Sequence, residues 1–103
     1  QAIQFMLADM KTKIEASRLL TWKSAYEADN GIRNTESAAH AKIFAADTAM
    51  EVSTDAVQIF GGYGYSEEYP VARLMRGAKV MQIYEGSSQV QRMIIGREIT
   101  KNF

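Results

Sequence analysis

Proline and glycine are distributed so that two long stretches of the chain remain free to form helix. Pro70 is the single proline, and neither residue type occurs from Ala2 to Ala28 or from Asn34 to Phe60. In the second stretch, small and apolar residues recur in alternating steps of four and three, the spacing of a continuous packed helix face. That face consists of Ala39, Ile43, Ala46, Met50, Ser53, Val57 and Phe60. Its small residues would allow another helix to pack closely.

The periodicity predicts four helices joined by tight turns. The first, from Ala2 to about Ala28, would be about 40 Å long, and the second would begin after Asn34 or Thr35. Shorter helices are predicted from about Pro70 to Lys79 and from Ser88 to Thr100. The residues expected to face inward from the first, third and fourth helices are Ile3, Met6, Leu7, Met10, Ile14, Leu20, Trp22, Val71, Leu74, Met75, Ala78, Val90, Met93, Ile94 and Ile95. The predicted fold is an all-α antiparallel helical bundle, an arrangement in which both glycine turns could share one end.

The composition argues against several functional classes. Twelve basic and twelve acidic residues are interspersed, giving zero net charge and no basic face for nucleic acid. Without cysteine, and with one histidine, there is no pattern of metal ligands and no thiol nucleophile. We interpret His40, which lies beside the packed face, as structural. No apolar run is long enough to cross a membrane, so we expect a soluble intracellular protein.

A turn at residues 83–89, with the sequence Ile-Tyr-Glu-Gly-Ser-Ser-Gln, separates the last two helical patterns. Glu85 follows several apolar residues, and apolar surroundings would disfavour its anion and make it a stronger base. Gly86 would let a ligand approach the backbone, and Ser87 or Ser88 can cap the last helix. From these residues alone, a capping turn with a solvated glutamate remains an open alternative.

A second turn contains three glycines in four positions, in the sequence Gly61-Gly62-Tyr63-Gly64-Tyr65. Such a segment can expose backbone N–H groups to a ligand. It is neither a Walker loop nor a dinucleotide fingerprint, because the lysine and the preceding strand are absent. An ordinary connection between helices explains it equally well. Arg73, Arg76 and Lys79, on the helix that follows, could serve an anionic partner or form a solvated face.

The two turns together resemble the C-terminal helical domain of the acyl-CoA dehydrogenases. The resemblance lies in residues 58–65 with Tyr69-Pro70, in residues 83–89 with Gln91-Arg92, and in the opening residues 1–10. It covers residues 1–103 as one domain and implies a fragment that lacks the first helix of that domain and the family's other domains. Members of this family are FAD flavoproteins that convert acyl-CoA thioesters to trans-2-enoyl-CoA.

The resemblance also implies roles for individual residues. Glu85 would be the base that takes the α-proton, while the β-hydrogen passes as hydride to flavin N5, and Tyr84 and Gly86 would contact substrate. The residues that match FAD-contacting positions are Gln1, Gln58, Ile59, Phe60, Gly61, Gly62, Ser87, Ser88 and Gln89. Ser87 stands where threonine is common, and Gly77 where aspartate is common. A glutamate at position 85 argues against the isovaleryl and long-chain branches.

The implied partners are an acyl-CoA substrate, electron-transfer flavoprotein as acceptor, and further copies of the chain in a dimer of dimers. Bacterial cytoplasm is the favoured location, with the mitochondrial matrix as the eukaryotic equivalent. Two alternatives stay open: a helical oligomerisation module without catalysis, and a flavoenzyme of the acyl-CoA oxidase type. The 103 residues alone are expected neither to retain FAD nor to turn over acyl-CoA.

Overall fold

The computed structural model describes residues 1–101, which form five helices and no strand. The helices are α1 (Ala2–Asp29), α2 (Thr35–Phe60), α3 (Gly62–Tyr65), α4 (Pro70–Met81) and α5 (Ser88–Thr100). The predicted all-α fold is confirmed, and the four predicted helices lie within two residues of their expected bounds. The single turn α3, within the glycine-rich segment, was not predicted. The last two residues of the predicted domain, 102 and 103, lie outside the described part.

Helix α2 is the centre of the molecule. Helix α1 returns along it after a turn in which Gly31 has a φ of 69° and the Ile32 N–H donates to the Glu27 carbonyl at 2.8 Å. Helices α3, α4 and α5 also pack on α2, whereas within residues 1–101 α1, α4 and α5 do not pack against one another. No helix in this part of the chain is both long enough and apolar enough to cross a membrane.

Helices α4 and α5 follow each other along α2, and both run antiparallel to it. At the start of α4, the ring of Tyr69 lies 5.9 Å from that of Phe60, at the end of α2. At the end of α4, the Met81 carbonyl accepts a hydrogen bond from Lys42 Nζ. Helix α5 then continues toward the beginning of α2, where Glu98 pairs with Arg33. The connection between α4 and α5 therefore does not reverse the chain.

The two glycine-rich turns do not share one end of the molecule, so that expectation is wrong. Gly61 ends α2, whereas Gln82 and Ser88 contact Asp47 near the middle of this helix. Gly61 follows Asp47 by fourteen residues, which is about 21 Å along the helix. The reason is the length of α4, which has 12 residues against the 26 of α2 and so ends halfway along it.

The core is made of small residues. Its buried apolar members are Ala39, Ala41, Ala46, Val71 and Ala78. Of the residues predicted to face inward, Phe60, Leu74 and Met93 are instead 46%, 58% and 73% exposed. Helix α2 has neighbours on more than one side, so no single stripe describes its buried surface. The buried residues of α5 are Ser88 and Gln91. Of its predicted inward residues, Ile94 and Ile95 are half-buried, whereas Val90 and Met93 are exposed.

Helix α1 contacts α2 through a partly polar seam. The half-buried residues in steps of four and three are Met6, Met10, Lys13, Ser17, Leu20, Ser24 and Glu27. Lys13 pairs with Glu51 across this seam, and Asn34 Nδ2 donates to the Ser24 carbonyl at 3.2 Å. The predicted inward face of α1 combined residues from two sides of the helix, and Trp22 is 61% exposed.

Candidate functional site

The connection between α4 and α5 is a closed loop with Glu85 at its tip. The Ser88 N–H donates to the Gln82 carbonyl at 3.0 Å and so brings the two ends of the loop together. Glu85 has a φ of 55°, the one positive value at a non-glycine residue within residues 1–101, and Gly86 follows with 92°. Residues other than glycine rarely adopt such φ values unless the surrounding structure enforces them. This backbone strain marks the predicted site.

Asp47 on α2 binds both ends of this loop. Its Oδ1 accepts hydrogen bonds from Gln82 Nε2 at 2.8 Å and from Ser88 Oγ at 2.9 Å. Its Oδ2 lies 3.6 Å from Arg92 Nη2 on α5. Sequence reasoning did not assign Asp47 a role. The sequence shows a single carboxylate among the small residues 45–49, and this pattern fits a solvent-exposed side chain equally well.

The backbone of Gly86 is bound by a buried side chain. Gln91 is 7% exposed, and its Nε2 donates to the Gly86 carbonyl at 3.2 Å. A Cβ placed on Gly86 would lie 2.5 Å from that nitrogen. The positive φ therefore favours glycine at position 86, and a larger residue there would also have to displace the Gln91 amide.

Glu85 does not have the apolar surroundings that the sequence predicted. Its side chain is exposed, and the adjoining Ile83 and Tyr84 are 59% and 47% exposed. Lys42 on α2 does reach this loop, since its Nζ lies 5.8 Å from the centre of the Tyr84 ring. A cleft of about 370 Å³ does border Glu85, and its other lining residues are Lys42, Ala45, Ala46, Met81 and Tyr84.

The beginning of α5 has a free backbone donor. Ser87 is the N-cap, as predicted, and its Oγ accepts from the Val90 N–H at 3.2 Å. Ser88 is buried, and its hydroxyl is engaged by Asp47. Gln89 is exposed, and among the described residues its N–H donates to no acceptor. A free N–H at a helix N-terminus suits an anion such as a phosphate group.

The other predicted cofactor residues lie at a separate corner. Gln58, Phe60, Gly61 and Gly62 are exposed, and Ile59 is half-buried. Gly64 is closely packed at this corner, since a Cβ at this position would lie 2.6 Å from the Val57 carbonyl oxygen. Since α1 and α2 are antiparallel, Gln1 at the start of α1 lies toward this same end. The structure thus groups Gln1 with residues 58–62, and Tyr84 and Gly86 with Glu85 and the start of α5.

The sequence profile of the acyl-CoA dehydrogenase C-terminal domain matches residues 1–100. The chain belongs to the acyl-CoA dehydrogenase family. Among curated relatives, cyclohexane-1-carbonyl-CoA dehydrogenase of Geobacter metallireducens is 54% identical over 101 residues, which is 98% of the chain and 27% of that protein. The family predicted from the two turns is therefore confirmed.

Solved structures agree with this assignment. Butyryl-CoA dehydrogenase from Megasphaera elsdenii superposes with a TM-score of 0.94 at 58% identity, covering 96% of the chain and 26% of that structure. A chain from a study of the electron transferring flavoprotein of Acidaminococcus fermentans superposes with a TM-score of 0.96 at 56% identity, covering 98% of the chain and 27% of its own length. The chain spans about a quarter of the length of the relatives that it matches.

Proposed function

We propose that residues 1–103 are the C-terminal part of an FAD-dependent acyl-CoA dehydrogenase that converts a short- to medium-chain acyl-CoA to trans-2-enoyl-CoA. The observation that supports this most directly is Glu85 itself. It is a carboxylate held in a strained backbone conformation at the tip of a loop whose two ends are bound to one helix. Proteins retain such strain chiefly at functional sites.

In the proposed reaction, Glu85 removes the α-proton of the thioester. An α-C–H beside a thioester is a weak acid, so the carboxylate must be close to it and shielded from water. Among residues 1–101, the N–H of Glu85 donates to no acceptor, which leaves it able to bind the thioester oxygen as negative charge develops there. FAD, when bound, supplies the acceptor for the β-hydride.

The residues proposed to hold FAD belong to the two groups described above. Ser87, Ser88 and Gln89 would bind it at the beginning of α5, near Glu85. Residues 58–60 lie about 16 to 20 Å from Asp47 along α2, and Gln1 lies toward their end of the helix. From the family resemblance we propose that this second group contacts FAD held by another copy of the chain, within a dimer of dimers. Electron-transfer flavoprotein is the proposed electron acceptor and bacterial cytoplasm the proposed location.

A chimera tests the role of Glu85. Residues 1–103 replace the matching segment of the Megasphaera elsdenii enzyme, and bleaching of the flavin by butyryl-CoA is followed by stopped-flow absorbance. Glu85→Gln is expected to slow bleaching by about 10²- to 10⁴-fold without loss of bound FAD. Glu68→Gln, in an exposed loop, serves as the matched control. Unchanged bleaching in Glu85→Gln would remove Glu85 from this role.

Measurements on the 103-residue chain by itself test whether these residues are enough to form the site. Because the chain spans about a quarter of its relatives, we expect it neither to retain FAD after gel filtration nor to oxidise acyl-CoA. Flavin absorbance and an assay with an artificial electron acceptor measure both properties. Robust turnover by the 103 residues would contradict this part of the proposal.

A further inference from the structure

We propose that Asp47 is a positioning residue, which sets the location of the Glu85 carboxylate through the two ends of its loop. This inference rests on the proposed function, since it assigns Asp47 to the same site. Asp47 lies on α2, whereas the loop belongs to a segment 35 to 41 residues further along the chain. The carboxylate therefore joins the loop to the central helix across a long sequence separation.

The geometry explains how one carboxylate can set the loop. Gln82 and Ser88 donate to the same oxygen, Asp47 Oδ1, at 2.8 and 2.9 Å. These are the residues whose backbone groups also close the loop, through the Ser88 N–H and the Gln82 carbonyl. Each end of the loop is thus fixed both to the other end and to α2. Helices α4 and α5 do not pack against each other within residues 1–101, so this contact with α2 holds their junction.

The charges around Asp47 favour these bonds. Hydrogen bonds to an ionised acceptor are shorter and stronger than those between neutral groups. Arg92 Nη2 lies 3.6 Å from the second oxygen, Oδ2, and so orients the carboxylate with Oδ1 toward the loop. These contacts also explain why the inward face of α5 is polar. Buried Ser88 donates to Asp47, and buried Gln91 donates to the Gly86 carbonyl in the loop.

Loss of this tether would move the catalytic carboxylate. Glu85 has a φ of 55°, a conformation that relaxes when the surrounding contacts no longer enforce it. A shift of about 1 Å in a reacting group can reduce the rate by about 10²-fold. The contacts of Asp47 are with Gln82, Ser88 and Arg92, and it is not among the residues proposed to bind substrate or FAD, so its loss should slow proton abstraction more than it weakens substrate binding.

The test uses the holoenzyme form of the chimera and three variants. Asp47→Ala removes the acceptor, Asp47→Asn keeps a neutral acceptor, and Glu36→Ala removes a different α2 carboxylate, about 16 Å away along the helix. We expect Asp47→Ala to lower kcat by about 10- to 100-fold, with KM and FAD content close to the parent values. Asp47→Asn should recover most of this loss, and Glu36→Ala should match the parent.

Two further measurements separate positioning from general stability. With α-deuterated butyryl-CoA, Asp47→Ala should show a larger isotope effect on flavin bleaching than the parent, because C–H cleavage becomes more rate-limiting. Gln82→Ala, which removes one tether without changing a charge and lies outside the proposed FAD and substrate contacts, should also lower kcat, and its effect should not add to that of Asp47→Ala. If Asp47→Ala fails to bind FAD, Asp47→Asn and Gln82→Ala decide the question by the same measurements.

The proposal is overturned if the Asp47 and Gln82 variants keep the kcat and isotope effect of the parent. It is also overturned if Asp47→Ala and Gln82→Ala act additively. Glu85→Gln distinguishes this failure from failure of the proposed function. Full activity in Glu85→Gln would refute the function, whereas an inactive Glu85→Gln beside fully active Asp47 variants would refute only the positioning role.

Discussion

Glu85 and Gly86 adopt positive φ values in succession, at a different cost for each. Glycine takes such a conformation without steric penalty, whereas glutamate pays for contact between its Cβ and the backbone. The loop thus keeps the strain at the residue proposed as the catalytic base and places glycine where a side chain would also contact Gln91. Local backbone conformation and site chemistry coincide at these two residues.

We predict that replacing two glycines with alanine has opposite effects on the free energy of unfolding. Gly86→Ala should lower the free energy of unfolding by about 1 to 2 kcal/mol, because alanine disfavours a φ of 92° and would displace the Gln91 amide. Gly77→Ala, within α4 and with open space at its Cβ position, should raise it by about 1 kcal/mol. Urea unfolding of the two variants beside the parent measures the difference, and equal effects would contradict the account.

Helix α5 is held at both ends by charged side chains rather than by a large apolar face. Asp47 binds its first turn, and Arg33 binds Glu98 near its last turn. The Glu98 side chain is 6% exposed and accepts from Arg33 at 2.6 and 2.9 Å and from Lys101 at 2.9 Å. These contacts, with Ser88 and Gln91, orient α5 so that Val90 and Met93 of its predicted apolar face are exposed while Ile94 and Ile95 are half-buried.

The Arg33–Glu98 pair predicts a specific dependence of stability on pH. Hydrogen bonds from Arg33, and next from Lys101, lower the pKa of Glu98 from 4.5 to about 2. Since the folded state lowers this pKa, its contribution is present above pH 4.5 and is lost as the pH falls toward 2. Glu98→Gln should therefore lose less stability than the parent between pH 6 and pH 3, as measured by urea midpoints. Glu68→Gln should retain the parent's pH dependence.

The molecule as a whole leaves many large apolar side chains exposed. No large side chain of the described residues is fully buried, and the elongated shape, 50 × 27 × 26 Å, offers little interior. On α1, Leu19, Trp22 and Tyr26 are 63%, 61% and 64% exposed, at a spacing that places them on one side of the helix. Patches of this kind mark surfaces that associate with other protein.

We expect the 103-residue chain to associate in solution through such surfaces. Light scattering after gel filtration should report a mass above the 11.5 kDa of one chain. Trp22→Glu should reduce association by placing a charge in the patch on α1, whereas Lys23→Glu, the next residue on this helix, should have little effect. A monomer of 11.5 kDa at all concentrations would contradict this prediction.

Local sequence information was sufficient for the four longer helices and for the position of the candidate site. The spacing of proline and glycine predicted four helices, because helix boundaries depend on residues close together in the chain. The same locality made residues 83–89 recognisable as a turn with a carboxylate beside a glycine. Together with residues 58–65, this turn also indicated the family, which the profile match to residues 1–100 confirmed.

Three further features were decided by tertiary contacts, because each of them depends on residues that are far apart in the chain. The half-length of α4 relative to α2 placed the two turns about 21 Å apart rather than at one end. The exposure of Glu85 depends on what packs above its loop, and neighbours in sequence do not determine that. Asp47 is the clearest case: it is one carboxylate among small residues in the sequence, and only folding brings it to Gln82 and Ser88.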